Sequence, residues 1–108
     1  MAQIIWTEPA ILDLKEIAEY IALDKISAAK KLVQKVFSKV ERLELFPESG
    51  KSPPELAQTR YQEIIIGPCR IFFRYESNNE TVYILYVMRS EMQLRKYRLD
   101  DRSESASS

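Results

Sequence analysis

The sequence predicts an α+β domain in which a short N-terminal strand precedes an αα-hairpin, and the hairpin packs on a small antiparallel sheet, in the order β-α-α-β-β-β. Between residues 8 and 46 apolar side chains recur at spacings of three and four, the period of helices that bury one face. From residue 60 to 88, three runs rich in β-branched and aromatic residues are separated by Gly67-Pro68 and by Ser77-Asn78-Asn79. With 108 residues, 45% hydrophobic and 30% charged, the chain has the size and makeup of one globular domain.

Gln3 to Trp6 is short, apolar and β-prone. Thr7 offers a hydroxyl N-cap, with Glu8 and Pro9 in a first helical turn that tolerates an acid and a missing N–H. Ala10, Leu14, Ile17, Ala18 and Ile21 then line one face of a helix of roughly fourteen residues. Ser27 is placed to cap a second helix of roughly nineteen residues, whose stripe is Ala29, Leu32, Val33, Val36, Phe37, Val40 and Leu43; Phe46-Pro47 and Gly50 end it. The stretch 51 to 58, KSPPELAQ, reads as an ordered loop. Strands are expected at Arg60 to Ile66, Cys69 to Tyr75 and Val82 to Met88. The final RSESASS is polar, which gives a domain at 1–99 and a disordered tail at 100–108.

Alternation along CRIFFRY puts Cys69, Ile71, Phe73 and Tyr75 on one face, and Arg70, Phe72 and Arg74 on the other. Hydrophobic parity pairs Tyr75 with Val82, Phe73 with Ile84 and Ile71 with Tyr86. Val82, Ile84, Tyr86 and Met88 then join the core, while Tyr83, Leu85, Val87 and Arg89 share the outer face with the two arginines. A slip of one residue would reverse that result.

Sixteen basic and sixteen acidic residues cancel, which argues against a domain that grips nucleic acid by overall charge. One cysteine and no histidine leave no internal disulfide and none of the common zinc sites, so no metal and no cofactor are expected. No run approaches membrane-spanning length and MAQIIW is no signal peptide, so a cytoplasmic protein without membrane contact is expected. Trp6 reads as a core anchor and Cys69 as a small buried apolar residue.

The ordered segments WTEPAILDLKEIAEYI, SAAKKL, LELFPESGKSPPEL, RYQEI, CRIFFRY and VYILYVMRSEMQL resemble the RelE/ParE superfamily of toxins from bacterial type II toxin–antitoxin systems, over Ile4 to about Leu99. The resemblance implies a small toxin encoded beside an antitoxin that wraps and neutralises it, acting in plasmid or chromosome maintenance and arresting growth. RelE-like members cut messenger RNA on the ribosome, whereas ParE-like members poison DNA gyrase and are not known as hydrolases. The length of the hairpin and the balanced charge favour the ParE-like branch, with gyrase as target and no catalysis. In the alternative, a ribosome-dependent mRNA endonuclease, Lys51, Arg60, Arg70 and Arg89 would bind phosphate, and Tyr97 or Glu63 would move protons. A non-toxic interaction domain is the third reading.

Arg70, Phe72, Arg74, Tyr83, Leu85 and Arg89 are the expected target- and antitoxin-binding surface. A sheet face this apolar and cationic needs a cover, and an antitoxin segment with acidic residues would supply one.

Overall fold

The computed structural model describes residues 1–56 and 58–107; Ala57 of the expected loop and Ser108 of the expected tail lie outside them. Gln3–Trp6 forms β1, Glu8–Ala22 forms α1 and Ile26–Glu41 forms α2, which runs into a 3₁₀ turn at Arg42–Glu44. After the loop come β2 (Tyr61–Ile66), β3 (Cys69–Glu76), β4 (Thr81–Arg89) and a third helix, α3 (Lys96–Ser107).

The strand order is β1-β4-β3-β2. β2, β3 and β4 make the antiparallel meander, and β1 joins β4 in parallel, so the sheet is mixed. Gly67, at φ 56°, opens the two-residue turn between β2 and β3, where a side chain would be strained. The two helix caps depart from expectation. Thr7 is the N-cap of α1, but its hydroxyl makes no cap bond; Oγ1 donates to the Ile84 carbonyl at 2.7 Å and ties the helix start to β4. Lys25, not Ser27, precedes α2.

One core lies between the hairpin and the sheet. Ala10, Leu14 and Ile17 of α1 and Leu32, Val36 and Val40 of α2 pack on Cys69, Ile71, Phe73, Val82, Ile84 and Val87. Each large aliphatic side chain buried there contributes about 1.5–3 kcal/mol. Trp6 adds an aromatic contact with Phe37 at 4.9 Å between centroids.

The expected register holds from Tyr75↔Val82 to Phe73↔Ile84 and then breaks. Phe72 pairs with Tyr86, which leaves Leu85 as the extra residue of a β-bulge, and Ile71 opposes Val87 rather than Tyr86. Parity reverses beyond it. Val87 joins the hairpin core, whereas Tyr86 and Met88 turn to the other face with Phe72, Tyr83 and Leu85.

That other face is not open. α3 starts at Lys96, inside the expected domain, and runs on through residues 100–107 of the stretch expected to be a disordered tail; its Leu99 is fully buried among Leu56, Tyr61, Phe72, Leu85 and Leu94. The chain is therefore layered as hairpin, sheet and terminal helix.

Candidate functional site: the arginines of the sheet and the groove beside α1

Strand alternation does place Arg70, Phe72 and Arg74 on the face away from the hairpin, but all three are buried. Arg70 is 7% exposed and Arg74 3%, so neither guanidinium forms the outward cationic surface expected of it. Arg70 donates through Nη1 and Nη2 to the two oxygens of Glu55, at 2.9 and 2.7 Å, and through Nε to Glu63 at 2.8 Å. Its plane lies over the Phe72 ring, 4.9 Å from the centroid. Glu55 also accepts from the Leu94 N–H at 3.3 Å. One arginine thus ties the loop before β2, the strand β2 and the segment entering α3. The Arg70 hydrogen bond holds the Glu55 carboxyl down at about 2, against some desolvation by burial. The same carboxylate raises the proton affinity of Arg70.

Arg74 lies over the Tyr83 ring at 4.3 Å and meets the terminal helix. Its Nε donates to the Ser103 hydroxyl at 2.7 Å, and Arg60 Nη2 donates to the same oxygen at 3.0 Å. Arg74 Nη1 also reaches Glu76 at 3.4 Å. Beside them Asp100 accepts from the Tyr61 hydroxyl at 2.6 Å and from Lys96 at 2.8 Å. Lys96 first and Tyr61 second hold the Asp100 carboxyl below the usual carboxylate range. Asp100 is therefore ionised at neutral pH and has no proton to give.

Arg89 lies on the opposite side of the sheet from Arg70. Because the bulge reverses parity, its guanidinium stacks over Tyr20 of α1 at 4.7 Å and pairs with Glu91 at 2.8 Å. It borders an open groove of about 780 Å³ between α1, the end of β4 and α3. Leu12, Tyr20 and Met92, each at least half exposed, give this groove apolar footing, and its charges are mixed, with Arg89 and Arg98 on the β4 and α3 side and Glu8 and Glu16 on α1. Arg98 donates to the Tyr86 hydroxyl at 3.1 Å.

The floor of the groove is closed by side chains that satisfy the free edge of β4 beyond its pairing with β1. Asp13 accepts from the Val87 N–H at 3.1 Å, and Arg102 donates to the Leu85 carbonyl at 3.0 Å while gripping Asp13 with both terminal nitrogens. Arg102 also covers the Tyr86 ring at 4.0 Å. Asp13, Arg98, Arg102 and Ser103 were not singled out from sequence. The one signal available was the spacing Leu99, Ser103, Ala106, a narrow stripe at helical period inside a polar segment.

Of the residues named for RNA cleavage, Arg70 and Glu63 meet, but as an ion pair, and Lys51 exchanges backbone hydrogen bonds with Glu63 at the β2 edge. The others do not join them in one pocket: Arg60 is held by Ser103, Arg89 is across the sheet, and Tyr97 is 61% exposed on α3, while Arg70 is also engaged by Glu55. Phe72 and Leu85 are fully buried and Tyr83 nearly so. Burial raises the Cys69 thiol above its ordinary value, so it is no ready nucleophile. Among the described residues no three His, Cys, Asp or Glu side chains cluster to hold a metal, and no helix is long and apolar enough to cross a membrane.

Comparison with known proteins agrees with this architecture. The family described as "ParE toxin of type II toxin-antitoxin system, parDE" matches residues 4–94. Toxin RelE2 of Caulobacter vibrioides is 29% identical over 87 residues, covering 81% of this chain and 93% of that protein. The chromosomal ParDE system of P. aeruginosa contains a chain that superposes with a TM-score of 0.68 at 25% identity, over 84% of this chain and 98% of that one. Isolated E. coli RelE shares the fold at a TM-score of 0.55 and 14% identity, over 99% of this chain and 97% of that one. The mixed sheet, the helical hairpin and the match over most of the chain give one conclusion: the chain belongs to the ParE toxin family of type II toxin–antitoxin systems, within the RelE/ParE superfamily.

Proposed function

We propose that this toxin acts in the cytoplasm by inhibiting DNA gyrase, without hydrolytic chemistry of its own, and that a cognate antitoxin neutralises it. The observation that carries this reading is the state of Arg70: bonded to Glu55 and Glu63, stacked on Phe72 and 7% exposed, it is buried in a carboxylate clamp rather than held out to a phosphate. Cutting RNA needs a base, an acid and cations around one phosphate, and the candidate residues here face different partners on two sides of the sheet. The likeness to the ParDE chain of P. aeruginosa supports the same branch, while the relative named RelE2 keeps RNA cleavage as the outcome to test against.

The antitoxin surface is assigned to the groove beside α1 rather than to the covered sheet face. Leu12, Tyr20 and Met92 suit the apolar side of an amphipathic segment, Arg89 and Arg98 suit carboxylates along one rim, and Glu8 and Glu16 suit cations along the other. The target is tested by adding the purified chain to gyrase, ATP and relaxed plasmid. Loss of supercoiling at near-stoichiometric toxin supports the proposal, and undiminished supercoiling at large excess overturns it.

A further inference from the structure

The charges of this neutral chain are sorted in space. α1 carries four carboxylates and one lysine, whereas α2 carries four lysines and one glutamate. On the sheet and α3, Arg70, Arg74, Arg89, Lys96 and Arg102 are each paired with a carboxylate. Lys31, Lys35, Lys39 and Arg42 differ: all four are exposed, and among the described residues none is in an ion pair.

Their spacing of four, four and three residues puts them within an arc of about 80° on the helix and its 3₁₀ extension, over a length of about 16 Å. Neighbours along such a ridge stand about 6 Å apart. Lys39 and Arg42 continue into the groove beside β2, where Lys51 adds another cation. The carboxylates Glu8, Asp13 and Glu16 line the other groove, beside α3, so they do not neutralise this ridge.

We propose that this ridge is a binding site for the sugar-phosphate backbone of duplex DNA. A regular row of unpaired cations matches a polyanion with evenly spaced charges, whose binding is driven by counterion release. On the helix itself Gln34 and Ser38 lie beside the cations and the exposed Phe37 points about 120° away from Lys31, so the row offers charge without an apolar anchor; exposed Phe46 and Ile65 stand only at its far end, in the groove beside β2. A single strand is disfavoured for the related reason that no aromatic platform alternates with the charges. The site is non-specific in sequence, because it offers nothing to read base edges. It is independent of gyrase as the target, so failure of either idea leaves the other standing.

The test is fluorescence anisotropy of the full chain with a labelled duplex of about 20 base pairs and arbitrary sequence, titrated across salt from about 25 to 200 mM. Four phosphate contacts give a slope of log K against log salt of about −3.6. Lys35→Gln with Lys39→Gln reduces that slope by about 2 and weakens binding at least several-fold at about 50 mM salt. Lys15→Gln with Arg95→Gln removes the same charge elsewhere and leaves the slope unchanged. Equal weakening by both pairs would show net charge rather than a ridge and overturns the proposal, as does absence of binding at the lowest salt. Competition by polyglutamate as effective as unlabelled duplex overturns it too, in favour of an acidic protein partner.

Discussion

Arg70 and Arg89 pair with neighbouring positions of the β3–β4 ladder, Arg70 opposite Met88 and Arg89 opposite Cys69, yet their guanidinium groups lie on opposite faces of the sheet. The two cannot grip one phosphate. Arg70 is an internal tie under the α3 side, and Arg89 is a groove-side charge over Tyr20.

Removing them should therefore have unlike consequences. Arg70→Ala leaves Glu63, 1% exposed, as an uncompensated buried carboxylate, and is expected to cost about 3–5 kcal/mol in urea unfolding. Arg89→Ala breaks a solvent-exposed pair and should cost under about 1 kcal/mol. Its effect should fall on antitoxin affinity instead, measured by calorimetry with the cognate partner.

Acid should loosen the Arg70 tie. The folded Glu55 carboxyl titrates at about 2, below its unfolded value of about 4.3, so its contribution is fully present above about pH 4.3 and is lost as pH falls toward 2. Urea midpoints followed from pH 6 down to about pH 3 should decline more steeply for the wild-type chain than for Glu55→Gln, which has no carboxyl there to protonate.

The docking of α3 depends on few side chains. Leu99→Ala removes its one fully buried aliphatic and should cost about 2–5 kcal/mol of docking energy. Ser103→Ala removes the oxygen shared by Arg60 and Arg74 and should cost about 1–3 kcal/mol. Both changes should raise deuterium uptake first in α3 and in the amides of 58–61, while β3 and β4 remain protected.

Gly50 is required by contact rather than by backbone angle. A Cβ there would stand 2.7 Å from the Phe73 ring, which is fully buried in the hairpin core. Gly50→Ala should destabilise by about 1–3 kcal/mol through overpacking, seen as a lower melting temperature with an unchanged far-UV spectrum.

The hairpin, the three later strands and the inner face of β3 were legible in the sequence because each rests on local periodicity sustained over several residues. The far end of β4 was not. Parity counting assumes an unbroken ladder, and the single extra residue Leu85 sent Val87 inward, Tyr86 and Met88 outward, and Arg89 across the sheet. The helix α3 was hidden because Leu99, Ser103 and Ala106 are a thin stripe in a segment whose composition reads as solvated. The partners of Arg70 were also out of reach, since Glu55 and Glu63 meet it only through the packing of the loop and β2. Two arginines flanking a phenylalanine looked like a surface, and it took an unsuspected cover to make them core.

The most direct test is whether the purified chain cuts message on translating ribosomes. If Arg70 is spent on Glu55 and Glu63, messenger RNA recovered after incubation should be full length, and primer extension should show no new 5′ ends. Discrete breaks within codons at the ribosomal A site, abolished by Arg70→Ala in a chain that still folds, would contradict the account.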